Sequence, residues 1–156
     1  MAEPENWYDE VVFPALLRHA RNTYAAAIRA AFEAAGCEDV PRNGAYVLGS
    51  IARNGTPLGE VIGELRVSKQ AGGQLVDTLV LRGYLDRTPD EGDRRRMTVS
   101  LTERGRLAAA ASRSAVEQVE AALVARVGQE TVSSARAALG ALIEIGHSPG
   151  DVASSG

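Results

Sequence analysis

Residues 68–101 read SKQAGGQLVDTLVLRGYLDRTPDEGDRRRMTVSL, and the reading of this stretch decides the fold. Ala71, Leu75, Val76, Leu79 and Val80 recur at the spacing of one helical stripe. Gly83 follows as a stop, because glycine enters the left-handed region at no steric cost. Two strand-like runs come next, 84–87 and 97–101. In the second, Met97, Val99 and Leu101 alternate with Thr98 and Ser100, as in a half-buried strand. Between them, residues 88–96 form a loop with Pro89, Gly92 and three consecutive arginines. Helix, strand, basic loop, strand is the order of a winged helix.

The chemistry of this stretch suits a nucleic acid. Lys69, Gln70 and Gln74, in the opening turns of the helix, have side chains long enough to reach base edges in a major groove, where Gln pairs with adenine and Lys with guanine. Ser68 is a good N-cap. Arg94, Arg95 and Arg96 fall at the hairpin tip, where arginine enters a narrow minor groove or binds phosphate. Asp93 precedes them and is expected to hold one arginine in direction. Taken singly, each of these features is an ordinary solvated surface; their order and spacing carry the reading.

The flanks complete a mainly α architecture with a small β-wing. A helical pattern over about 7–35 carries Phe13, Leu16, Leu17, Ala20, Tyr24, Ala27, Ile28 and Ala31, and the reading favours a helix from about Asn6 that bends near Pro14 and stops at Gly36. A second helix is expected from Pro41 to about Arg53, with Ala45, Leu48 and Ile51 inward. A third spans about 59–65, with Val61, Ile62 and Leu65 inward. The tight turn at Arg66-Val67 then makes a helix-turn-helix with the helix from Ser68. After the wing, Thr102 caps a long helix over about 103–127, with Leu107, Ala111, Ala115, Val119 and Leu123 on one row. Gly128 breaks it. A last helix over about 130–145 ends at Gly146, and the Ser/Gly-rich tail 148–156 is expected to be disordered.

The 156 residues suffice for one domain with a real core, and 45% of them are hydrophobic against 24% charged, an ordinary globular balance. No apolar run approaches the roughly 20 residues of a membrane span. No basic region followed by an apolar core opens the chain, so the expected compartment is the cytoplasm. A single cysteine, Cys37, excludes an intrachain disulfide framework, and His19 and His147 stand alone, so neither metal nor cofactor is expected. The net charge is −3, yet residues 41–106 carry +3 while 1–40 carry −4 and 107–156 carry −2. For phosphate binding this local footprint counts rather than the total.

The chain resembles the MarR family of bacterial winged-helix transcription regulators over most of its length, from about Trp7 to Ile145. Asp90-Glu91-Gly92-Asp93-Arg94-Arg95-Arg96, with Val99-Ser100-Leu101-Thr102-Glu103-Arg104-Gly105 after it, is similar to the family's wing motif. Leu79 and Arg82-Gly83-Tyr84-Leu85 look like its recognition-helix end. The resemblance implies a winged helix-turn-helix core at about 41–101 flanked by dimerisation helices at about 7–35 and 103–145. It also implies a homodimer on a pseudo-palindromic operator in double-stranded DNA, and usually repression. By the same resemblance Ser68, Lys69, Gln70 and Gln74 match recognition positions, and Asp93, Arg94 and Arg95 match the wing tip. A small lipophilic or phenolic effector would sit against Phe13, His19, Tyr24 and Tyr46. The chain departs from the family at Gly72-Gly73, inside the recognition helix, at Arg66, where the turn commonly has Gly, and at Gly59, where a Ser or Thr cap is usual.

Other classes stay open on the residues alone. A cysteine redox regulator would need a reactive Cys37, which follows a helix C-terminus, where the dipole disfavours a thiolate. A protein-binding winged helix has no need of Arg94 to Arg96 beside Lys69 and Gln70. An enzyme is not expected, because no nucleophile elbow, P-loop or dinucleotide fingerprint appears.

Overall fold

A computed structural model of the chain describes residues 6–54, 58–95 and 97–147. Residues 6–12 form turns, held by bonds such as Asp9 N–H to the Asn6 carbonyl at 3.1 Å. The first helix, α1 (Phe13–Ala34), begins with Pro14 in its opening positions. The expected helix from Asn6 bending at Pro14 is therefore replaced by a helix that starts there. Proline lacks an N–H, and the first turn of a helix is where that loss costs nothing.

Gly36, at φ +67°, ends α1: the Cys37 N–H reaches back to the Phe32 carbonyl at 2.8 Å and the Gly36 N–H to that of Glu33 at 3.2 Å. This is a Schellman cap, and the chain repeats it at Gly83, where the Tyr84 N–H bonds the Leu79 carbonyl at 2.9 Å and the Gly83 N–H that of Val80 at 3.0 Å.

Three helices follow, α2 (Gly44–Asn54), α3 (Leu58–Glu64) and α4 (Lys69–Leu81). Pro41 lies in the turn before α2 rather than in its first turn: the Gly44 N–H bonds the Pro41 carbonyl at 2.8 Å, and Asn43 takes φ +66°. The turn between α3 and α4 keeps a left-handed residue, Arg66 at φ +50°, although arginine pays about 1–3 kcal/mol for that conformation. Gly44, Val47, Leu48 and Ser50 are buried on α2, with Ala45 and Ile51 packed partly against the core.

On α4 the inward stripe is Gly72, Val76 and Leu79, and Ala71 is exposed. The expected stripe holds at Val76 and Leu79, with Leu75 and Val80 packed partly against the core, and fails at Ala71, because the sequence pattern counts Ala71 as apolar and Gly72 as a defect. Gly72 is the contact point: a Cβ there would stand 2.3 Å from Ile62 Cγ2 of α3.

The wing is an antiparallel pair, β1 (Leu85–Pro89) and β2 (Met97–Leu101), in register from Leu85 opposite Leu101 to Pro89 opposite Met97. Tyr84 is not part of β1. Its N–H bonds the Leu79 carbonyl at 2.9 Å, and its carbonyl accepts the Thr102 N–H at 3.2 Å, so the helix cap consumes it. Pro89 is tolerated at the strand's end because a two-stranded sheet leaves outer edges unpaired.

The last two helices are α5 (Glu103–Val127) and α6 (Gln129–His147), separated by Gly128 at φ +84°. Thr102 caps α5 as expected, its Oγ1 accepting the Gly105 N–H at 2.9 Å. The buried positions of α5 are Gly105, Ala108, Ala109, Ser112 and Ala115. The expected row holds at Ala115, which is buried, and at Ala111, which packs against the core, but Leu107 and Leu123 are exposed, Leu107 by 52%. Small residues face the core because the backbones approach closely there; a Cβ on Gly105 would stand 2.0 Å from the Tyr84 carbonyl oxygen. Gly146 does not end α6, which continues to His147. The tail 148–156 lies outside the described residues.

The chain forms two compact units, Met1–Glu117 and Gln118–Gly156. The core of the first joins Phe32 of α1, Val47 and Leu48 of α2, Val61 of α3, Val76 and Leu79 of α4 and Ala108 of α5 around Cys37, Tyr84 and Leu85. Among the described residues no helix is long and apolar enough to cross a membrane.

Candidate nucleic-acid interface

The first unit presents two exposed polar surfaces from the segment that the sequence singles out. On α4, Ser68, Lys69, Gln70 and Gln74 are all exposed. The Ser68 hydroxyl accepts the Ala71 N–H at 3.1 Å, so it caps the helix and its lone pair is engaged there. Lys69, Gln70 and Gln74 project from the first turns, with Gly73 between them, where a Cβ would meet nothing within 4 Å. The two glycines thus do opposite things. Gly72 admits α3 from inside, and Gly73 leaves bare backbone on the outer face.

The tip of the wing is built by carboxylates acting on backbone. Asp90 Oδ1 accepts the N–H groups of Gly92 at 2.7 Å and Asp93 at 3.2 Å, and Asp93 Oδ1 accepts the Arg95 N–H at 3.0 Å. Asp93 therefore shapes the turn through the main chain of Arg95; among the described residues it forms no ion pair with Arg94 or Arg95, and the expected grip on Arg96 lies outside the described residues. Arg94 and Arg95 are exposed, and among the described residues neither forms an ion pair. Arg96 lies outside the described residues. Arg87 of β1 pairs with Asp77 of α4, which ties the root of the wing to the middle of the helix.

Behind α4 lies a cluster that sequence reading misses. The Asp39 carboxylate accepts the Tyr84 hydroxyl and, at 2.8 Å, Arg104 Nη2. Its backbone carbonyl accepts Arg82 Nη1, and Arg104 Nη1 donates to the Arg82 carbonyl. The Arg104 guanidinium lies 4.4 Å from the centre of the Tyr84 ring. The Tyr84 hydroxyl, followed by the Arg104 charge, holds Asp39 below its ordinary 3.8. Burial, followed by the Asp39 hydrogen bond, pushes the Tyr84 phenol well up. The sequence singles out Arg82, Tyr84 and Arg104 but not Asp39, whose carboxylate is 65 residues from Arg104.

A cleft of about 1620 Å³ opens between α1, α2 and the first half of α5. Tyr24 and Tyr46 line it with Leu17, Ile28 and Phe32, and Arg21, Arg53 and Arg106 stand among its walls. Phe13 and His19 do not line it. Phe13 lies one turn before the lining stripe and is 55% exposed. His19 is two residues from both Leu17 and Arg21, which at about 100° per residue turns it to the opposite face. The Tyr46 hydroxyl donates to the Glu64 carboxylate of α3, and this bond, followed by burial, raises the phenol above its ordinary value. Cys37 is fully buried, away from the access a reactive thiolate needs.

Comparisons with known proteins agree with this geometry. Residues 38–96 match the MarR family model. No curated protein sequence matches the chain. Among solved structures, S. aureus MepR in complex with DNA superposes with a TM-score of 0.70 at 20% identity, over 86% of this chain and 98% of that one. The transcriptional regulator Tm0710 from Thermotoga maritima gives 0.54 at 25% identity, over 85% and 92%. S. aureus MepR bound to ethidium bromide gives 0.55 at 19% identity, over 87% and 97%.

Proposed function

We propose that this chain is a winged-helix transcription regulator of the MarR family, whose model matches residues 38–96, and that it works as a homodimer that binds a pseudo-palindromic operator in the cytoplasm and represses transcription. The observation that carries the reading is the pairing of two exposed surfaces on one scaffold. Lys69, Gln70 and Gln74 project from the outer face of α4, and Arg94 and Arg95 stand exposed, without ion-pair partners among the described residues, on a turn braced by Asp90 and Asp93. The arginines supply affinity through phosphate or the minor groove, and the α4 side chains supply base preference. Ser68 positions them as the cap. Arg96 joins the wing set by its sequence position.

Dimerisation is supported by apolar side chains left exposed within each unit. In the second unit Leu123, Leu139, Leu142, Ile143 and Ile145 are exposed, and in the first Trp7, Tyr8, Val12, Phe13 and Leu107. A second copy is the partner that covers such faces symmetrically. It would also set two recognition helices about one DNA turn, roughly 34–36 Å, apart.

The cleft supports control by a small aromatic or lipophilic effector on Tyr24 and Tyr46. Tyr46 makes the link to DNA binding, since its hydroxyl engages Glu64 of α3, the helix that packs on α4 through Gly72. A ligand that takes the Tyr46 hydroxyl releases Glu64.

The test is selection of duplexes from a random-sequence library by the full chain. The reading expects an inverted repeat bound by one dimer, with preference relaxed by Gln70→Ala. Recovery of no consensus, or an unchanged consensus with Gln70→Ala, would contradict it.

A further inference from the structure

The loop behind α1 sends one residue to the base of the recognition helix, where DNA has no direct use for it. Asp39 meets three elements at once. Its carbonyl holds Arg82, the C-cap of α4; its carboxylate holds Tyr84, which leads into β1, and Arg104 in the first turn of α5. The same junction is closed from the other side by Thr102, whose hydroxyl donates to the Gly83 carbonyl at 2.6 Å and whose N–H bonds that of Tyr84 at 3.2 Å. Gly105 lets α5 come this close.

Leverage makes this junction matter. The 13 residues of α4 span about 20 Å at 1.5 Å per residue, so a rotation of about 5° at the base moves Lys69 by about 1.7 Å. That is enough to break a base contact, because hydrogen bonds weaken steeply with distance and angle.

We propose that Asp39 is a positioning residue for DNA recognition: through Arg82, Tyr84 and Arg104 it fixes the angle at which α4 and the wing leave α5, and it touches no DNA itself. The proposal rests on the reading of α4 and the wing as the DNA interface.

The experiment measures binding of the full chain to the duplex that the wild type selects from a random-sequence library, each variant being kept where circular dichroism shows it folded. Asp39→Ala weakens binding about tenfold, the loss of hydrogen bonds to a charged group. Asp39→Asn keeps an acceptor for Tyr84 without the charge for Arg104, and weakens it less. The decisive readout is a cycle with Gln70→Ala, at the far end of α4. A displaced helix has already spoiled the Gln70 contact, so Asp39→Ala costs about threefold rather than tenfold in the Gln70→Ala background, a coupling that independent distant sites do not show. A role confined to stability gives the same factor in both backgrounds, and that result overturns the proposal, as does wild-type affinity in Asp39→Ala. A wild type that selects no duplex removes the DNA reading and this proposal with it. Tight selection with an indifferent Asp39→Ala removes this proposal alone.

Discussion

The base of α4 and the tip of the wing use the same residue type in opposite ways. At the C-terminal base of α4, Arg82 is spent on the Asp39 carbonyl, and Arg104 on the Asp39 carboxylate, the Tyr84 ring and the Arg82 carbonyl. Past the wing root, where Arg87 is spent on Asp77, the arginines at the tip form no ion pair among the described residues, and carboxylates there brace only the main chain. One region is a joint and the other a surface. A count of basic residues cannot distinguish them; partner geometry does.

Glycine divides in the same way, and it gives the largest expected effects. Gly105→Ala drives a Cβ to 2.0 Å from the Tyr84 carbonyl, backbone against backbone, in the joint. A loss of about 3 kcal/mol is expected, read as a lower denaturation midpoint. A loss well under half of that would mean that α5 does not close on Tyr84 as described.

Gly72→Ala meets a side chain instead, Ile62 Cγ2 at 2.3 Å, which shifts more cheaply. Alanine's helix propensity returns about 1 kcal/mol against an overpacking cost of about 1–3 kcal/mol, so the net is a smaller destabilisation. Its neighbour sharpens the contrast: Gly73→Ala fills open space and stabilises by about 1 kcal/mol. Equal effects at the two positions would erase the distinction between inner and outer face.

Much of this was legible in the residues, and the exceptions share a cause. The caps at Ser68 and Thr102, the stop at Gly83 and the alternation over 97–101 are local signals, and the structure has them in those roles. The expected inner rows of α4 and α5 hold at Val76, Leu79 and Ala115 and miss the smallest positions, because a periodicity count favours large apolar residues, whereas Gly72, Gly105 and Ala108 are buried by close backbone approach. The start of α1 went astray because an apolar stripe continues past Pro14 in sequence although the helix does not. Asp39 was invisible because its partners lie 45 and 65 residues away, and an acidic residue in a loop carries no local mark. The wing arginines were found by composition, yet what sets Asp93 to work, the Arg95 N–H, is a property of the turn.

A smaller effect separates the joint from the surface by pH. The Tyr84 hydroxyl and the Arg104 charge hold Asp39 below 3.8, so its folded-state value lies under that of the unfolded chain. Its stabilising contribution is therefore present above that range and lost as the pH falls through the folded value. Asp39→Asn is expected to lower the unfolding midpoint at about pH 7 and to differ less from wild type as the pH falls to about 3. A difference constant over that range would count against the ionised contact.

The central claim is that the arginines of the wing tip meet phosphate while those of the joint do not. The most direct measurement is the salt dependence of operator binding for Arg95→Ala and Arg104→Ala, alongside their denaturation midpoints. Arg95→Ala is expected to lower the slope of log K against log salt by about 1 and to leave stability unchanged. For Arg104→Ala a lower midpoint, weaker binding and a wild-type slope are expected. An unchanged slope in Arg95→Ala, or a slope in Arg104→Ala reduced by as much as the wing variant's, would contradict the central claim.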